Sequence, residues 1–284
     1  MLRSMYSGIS GLKNFQTKLD VIGNNIANVN TFGFKKGRVT FKEMISQNLA
    51  GASAPSTTIG GINPRQVGLG SQVAAIDTIH TSGNLQSTGR VLDLAISGEG
   101  YFVVGNITGP TGTADTISNQ VYTRAGNFYL DNAGFLVTSD GLYVAGSNGA
   151  TQGESTISSS RAIKIPTDAK DMTVSSDGTV SYIDASGILQ EAGKIVMAKF
   201  SNTSGLEKSG NNVYKETNNS GTALFDYASE SGLGQIGASM LEMSNVDLSE
   251  EFTEMIVAQR GFQANTRIIT TSDEVLQELV NLKR

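Results

Sequence analysis

The sequence has 284 residues, enough for one large or two small domains with a genuine core. Its net charge of −5 and its scattered lysines and arginines argue against the concentrated basic face of a nucleic-acid binder and against a polybasic membrane anchor. Cysteine and tryptophan are absent and histidine occurs once, so disulfides, thiolate nucleophiles and cysteine-based metal sites are excluded.

In chain order, the first segment carries apolar residues at Met5, Ile9, Leu12, Phe15, Leu19, Ile22, Ile26 and Val29. Steps of three and four predict a helix with one narrow apolar stripe. Asn28-Val29-Asn30-Thr31-Phe32-Gly33 ends it with poor helix formers and a glycine. The opening residues Met1 to Tyr6 are too polar for a cleaved signal peptide, and no apolar run approaches the ~18 residues of a membrane span. Residues 31–75 read as an extended connector, with Ala50 to Asn63 rich in Gly, Ala, Ser and Thr.

Residues 76–244 read as a β-rich domain. Leu92–Ile96, Tyr101–Val104, Val121–Arg124, Asn127–Leu130, Ala162–Ile165, Thr179–Ile183, Ile195–Phe200 and Val213–Thr217 have strand character. Asp131-Asn132-Ala133-Gly134 and Ser139-Asp140-Gly141 supply turns, and Asn148 to Ser160 a polar loop. The last segment returns to helical spacing. Asp247 followed by Glu250 has capping-box spacing, and a 4-3 register runs Leu248, Phe252, Met255, Gln259, Phe262, Thr266, Ile269, Asp273, Leu276, Val280. At ~1.5 Å per residue this helix spans roughly 50 Å, with Lys283 and Arg284 at its negative end. Gly261 is either a tolerated weak spot or the mark of a close helix–helix approach. The fold class is therefore α+β: paired terminal helices, 1–30 with 245–284, around a central β domain. Each stripe is too narrow to stand alone and is expected to become ordered by lateral association.

No catalytic constellation is legible. His80 sits in a strand-like stretch without a nucleophile motif and reads as structural. Gly68-Leu69-Gly70 and Gly98-Glu99-Gly100 lack the rest of a dinucleotide fingerprint, and the Asp/Gly turns lack the ligand pattern of a calcium loop. No cofactor and no metal site are expected, and a secreted β-rich enzyme or carbohydrate-binding module remains a remote alternative.

Leu19-Asp20-Val21-Ile22-Gly23-Asn24-Asn25-Ile26-Ala27-Asn28 and Thr31-Phe32-Gly33-Phe34-Lys35 resemble the N-terminal signature of the flagellar rod and hook proteins. Ser244 to Leu248 and Phe252 to Asn265 resemble the C-terminal signature of the same family. Thr88 to Ile96 and Val280 to Arg284 look most like the compact hook proteins of Gram-positive bacteria, with the distal rod as the alternative. The resemblance implies a non-enzymatic subunit of the flagellum, exported by the flagellum-specific type III apparatus. It would assemble with identical copies into a hollow helical tube, curved in a hook. It further implies contacts with the distal rod, the hook–filament junction and the hook assembly cap, without membrane insertion. The expected subunit interface comprises Leu12, Leu19, Ile22, Asn24, Asn25, Ile26 and Asn28 on the first helix. On the last it comprises Phe252, Met255, Gln259, Phe262 and Ile269.

Overall fold

A computed structural model describes residues 2–55, 60–108, 116–147 and 161–282. The chain is α+β, 24% helical and 39% strand. The loop from Asn148 to Ser160, part of the Ala50–Asn63 stretch and the terminal Lys283-Arg284 lie outside the described residues. Two compact units are formed: a helical unit of residues 1–27, 37–79 and 247–284, and a β unit of residues 28–36 and 80–246.

In the helical unit, α1 (Leu2–Ala27) pairs with α2 (Leu248–Asn281). Asp247 caps α2, its carboxylate accepting from the Ser249 amide at 2.8 Å, with Glu250 and Glu251 favourably placed in the first turn. Across the span expected as an extended connector and three residues beyond it, four strands form two antiparallel pairs. β1 (Gly37–Glu43) pairs with β4 (Ser71–Thr78), and β2 (Ser46–Ala50) with β3 (Arg65–Gly68). The β1–β4 ribbon lies on α1: the Phe15 and Phe41 rings are 6.2 Å apart, and Asn14 donates to Ser71 Oγ at 2.8 Å. A Ser53–Ile62 bridge continues the β2–β3 ribbon beyond its strands. No helix among the described residues is long and apolar enough to cross a membrane.

The β unit opens with β5 (Leu85–Ser87), β6 (Leu94–Ser97), β7 (Tyr101–Thr108) and β8 (Thr116–Thr123). β9 (Tyr129–Leu130), β10 (Leu136–Val137), β11 (Tyr143–Ser147) and β12 (Arg161–Ala162) follow. Then come β13 (Asp171–Val174), β14 (Thr179–Ile183), β15 (Leu189–Lys199) and β16 (Glu207–Lys208). β17 (Val213–Lys215), β18 (Leu224–Tyr227), β19 (Gln235–Ala238) and β20 (Met240–Glu242) complete it. The antiparallel sheet runs β13-β14-β15-β7-β11-β12-β8-β17-β16, with β9, β10 and β18 attached beside that path. Two smaller pairs, β6 with β19 and β5 with β20, draw the returning chain back to residues 85–97.

Successive side chains of a strand point to opposite faces, and here both faces are covered. Phe102, Val104, Ile195 and Met197 join Leu94, Phe128, Leu136 and Val144 in one core. Tyr101, Val103, Val196 and Ala198 join Tyr122, Phe200 and Tyr214 in the other. That is why Tyr101–Val104 reads as an unbroken apolar run rather than an alternation.

His80, read from the sequence as a structural residue, packs against Tyr101 and Tyr214 of the second core. Its Nδ1 shares a 2.7 Å hydrogen bond with Tyr101 Oη, and the Tyr214 ring packs edge-on at 5.6 Å. Burial first, then the charges of Lys35, Lys208 and Arg124, push its pKa from 6.5 down to about 4. The unfolded chain thus takes up a proton near pH 6.5 that the folded one refuses. The contribution of His80 to stability is fully present above that value and is lost as the pH drops towards about 4. Urea midpoints at neutral pH and near pH 5 are expected to differ less for His80→Gln than for the unaltered chain. An identical difference for both proteins contradicts this assignment.

Candidate assembly surface

The inward seam of the helical unit follows from which side chains meet. α1 and α2 run antiparallel. A Cβ added at Gly8 would touch Ile269, one at Gly11 would lie 2.8 Å from Asn265 Oδ1, and one at Gly261 would lie 2.5 Å from Phe15 Cζ. Further along, Lys18 pairs with Glu254, and Asn25 Nδ2 donates to Glu251 Oε2 at 3.1 Å. Glycines on both helices let the axes approach closely, so the second reading of Gly261 is the one realised. Asn25, 1% exposed, also donates to the Gly37 carbonyl and accepts from the Gly37 amide, each at 2.9 Å. A buried amide with both donors and its oxygen bonded in a single register pins that register more firmly than apolar packing does.

The expected interface residues divide between this seam and its outside. Ile22 and Asn25 are buried, while Leu12, Leu19, Ile26, Met255 and Ile269 are half-buried. Asn24, Phe252, Gln259 and Phe262 are exposed. Asn28 falls in the β unit, where it accepts a 3.1 Å bond from Thr31 Oγ1 at the turn that ends α1. On α2 the inward positions are Glu251, Met255, Ala258, Gly261, Asn265, Ile269, Ser272 and Leu276. Glu251, Ala258 and Asn265 carry no apolar periodicity, so the sequence pattern passes over them. Asn14 is missed in the same way.

The outward faces of α2 are unusually apolar for a single chain in water. Phe252 is 49% exposed, Ile256 53%, Val257 57% and Leu279 49%. The β2–β3 ribbon adds Ile45, Leu49, Ile62 and Val67. Both surfaces belong to the helical unit, and exposed apolar area of this kind is a feature of interaction surfaces.

Three stretches match known families. Residues 5–35 match the flagella basal body rod protein family. Residues 95–182 match the flagellar hook protein FlgE/F/G D1 domain, and residues 238–282 the flagellar basal body rod FlgEFG protein C-terminal family. The chain is similar to the flagellar basal-body rod protein FlgG of Bacillus subtilis (strain 168), 59% identical over 285 residues with both chains covered to 100%. The chain belongs to the flagellar rod and hook family. Rod and hook proteins of Borreliella burgdorferi (strain ATCC 35210 / DSM 4680 / CIP 102532 / B31) are related to it as well. Its flagellar basal-body rod protein FlgG is 38% identical over 289 residues, and its flagellar hook protein FlgE 33% over 441, each covering both chains fully. Proteins of this family are structural components of the flagellum and polymerise within the basal body. The apolar outward faces of this chain agree with that behaviour.

Proposed function

We propose that this chain is the subunit of the distal rod, the straight shaft of the flagellum, rather than of the hook. The supporting observation is collinearity. The FlgG alignments close over 285 and 289 residues, almost the length of this chain, whereas the FlgE alignments stretch to 441 and 473. Those hook proteins therefore carry long segments with no counterpart here. The hook preference drawn from Thr88 to Ile96 gives way for a physical reason. Leu92, Asp93, Leu94, Ala95 and Ile96 are all buried in the β unit, so core packing constrains them wherever the same domain is used.

A rod subunit must add to the end of a growing shaft by the same contact each time. Head-to-tail contacts that do not close into a ring give such an open helical polymer. Phe252, Phe262 and their exposed apolar neighbours on α2 would supply the contacts between copies, while Ile22 and Asn25 hold the helix pair inside one subunit. The role is structural, without catalysis or cofactor. Identical copies and the export apparatus remain as partners, whereas the hook–filament junction and the hook cap belonged to the hook reading.

Electron microscopy of motors from a strain lacking this gene is the test. Shafts that stop short of the distal rod, and so carry no hook, are the expected result. Complete rods that lack only hooks would return the chain to the hook class.

A further inference from the structure

The chain passes between its two units four times, and the crossings fall on three short threads of the β unit: residues 28–36, 80–84 and 242–246. Inside the β unit these threads are bonded to one another. Lys35 Nζ donates to the Thr81 carbonyl at 2.8 Å and is paired with Glu242 Oε1 at 2.5 Å. The Gly33 amide donates to the Glu242 carbonyl at 2.8 Å, and the Gly83 amide to Glu242 Oε1 at 2.9 Å. The Met243 amide donates to the Asn84 carbonyl at 2.9 Å. Asn245 receives the Lys36 amide at 2.8 Å and donates to Thr81 Oγ1 at 3.0 Å.

The second oxygen of Glu242 accepts from Arg124 at 3.2 Å, and Arg124 donates onward to the Gly98 carbonyl at 2.7 Å. The knot of threads is thereby fastened to the turn that follows β6 and to the end of β8. Side chains of Lys35 and Glu242 are both 0% exposed, and that of Arg124 is 3% exposed. Burial lowers the pKa of Lys35 while Glu242 opposes it, so the ammonium depends on that single carboxylate.

We propose that Glu242 is the centre of a clasp that binds all the covalent threads of the β unit into one attachment, so that torque loads them together instead of peeling them singly. The inference rests on the proposed reading of the chain as a subunit of the flagellar shaft, which turns under load. A buried ion pair suits this task better than apolar contact, which lets surfaces slide. Its hydrogen bonds have one geometry, and removing one partner leaves a charge without compensation.

Hydrogen exchange on the full-length monomer tests the clasp without reference to rods or hooks. In Glu242→Gln the amides of Gly33, Gly83 and Met243 are expected to exchange at least about tenfold faster, since each factor of ten corresponds to ~1.4 kcal/mol of opening energy. The amides pairing β14 with β15 should change less than about twofold. Lys35→Gln, which leaves Glu242 paired with Arg124, should loosen Gly33 and Lys36 and spare β14 and β15 in the same way. Equal acceleration throughout the β unit, unfolding of the unit in both variants, or no acceleration at the threads overturns the clasp. A clasp upheld by exchange, in a chain whose deletion spares the rod, would sink the rod reading alone.

Discussion

Gly33→Ala is expected to lower the stability of the β unit by about 2–4 kcal/mol, the combined cost of a left-handed backbone and an overpacked contact. Gly33 has φ +68°, a region that side chains with a Cβ enter at a cost. The added atom also has nowhere to go. It would lie 2.6 Å from the Ala125 nitrogen and 2.7 Å from the Arg124 carbonyl carbon, both main-chain atoms that cannot rotate aside. Retreat from Arg124 would break the 2.8 Å bond from the Gly33 amide to the Glu242 carbonyl.

Gly141 separates the two causes. Its φ is +80°, but nothing lies within 4 Å of a Cβ placed there. Gly141→Ala should therefore cost only the backbone part, about 1 kcal/mol, and asparagine, which tolerates left-handed backbone, should cost less still. At Gly33, asparagine should be nearly as harmful as alanine. Urea unfolding followed by tyrosine fluorescence, in a chain without tryptophan, measures all four variants. Equal losses at the two glycines would show that the close approach to residues 124–125 contributes nothing.

The sequence disclosed the two helices and much of the sheet, and concealed what holds them. Steps of three and four along Met5 to Val29 and Leu248 to Val280 located α1 and α2 to within a few residues. Thr179–Ile183 is β14 as read, while the stretch read as a strand from Leu92 enters its ladder at Leu94. The register of α2 was harder to see. Apolar periodicity counts every apolar face of a helix, whether or not it meets the partner helix. Phe252, Gln259 and Phe262 thus fell into one pattern with Met255 and Ile269, although they point away from α1. Beside Met255 and Ile269 the seam uses Ala258, Gly261, Asn265 and Ser272, whose hydropathy is unremarkable, with Gly261 permitting the close approach of Phe15. The Lys35–Glu242–Arg124 cluster left no local trace either, because its members are separated by 207 and 118 positions along the chain. Only the fold brings such charges together.

The division of α2 into an inner and an outer face leads to the final expectation, in which neighbouring positions fail in opposite ways. Gly261→Leu places its Cβ 2.5 Å from Phe15 Cζ and 2.6 Å from Cε1, and the rest of the side chain must displace the ring. Overpacking of this kind costs about 1–3 kcal/mol, set against about 1 kcal/mol gained by removing a mid-helix glycine. Gly261→Leu should therefore weaken the helix pairing in the monomer by up to about 2 kcal/mol, seen as faster exchange along α2 and a lower urea midpoint for its helical circular dichroism. Phe15→Ala in the same chain should restore most of the pairing, since it empties the space that leucine needs. Phe252→Glu should do the reverse. Half-exposed in one subunit and in the first turns of α2, where an acidic group suits the helix dipole, it should leave monomer helicity intact. Between copies the carboxylate would be buried without a partner, raising the concentration needed for polymerisation by about 10–100-fold and abolishing motility. A Phe252→Glu chain that still builds normal shafts would place the contact between copies elsewhere on the helical unit. A Gly261→Leu chain not rescued by Phe15→Ala would mean that the approach of α1 to α2 is not what the glycine serves.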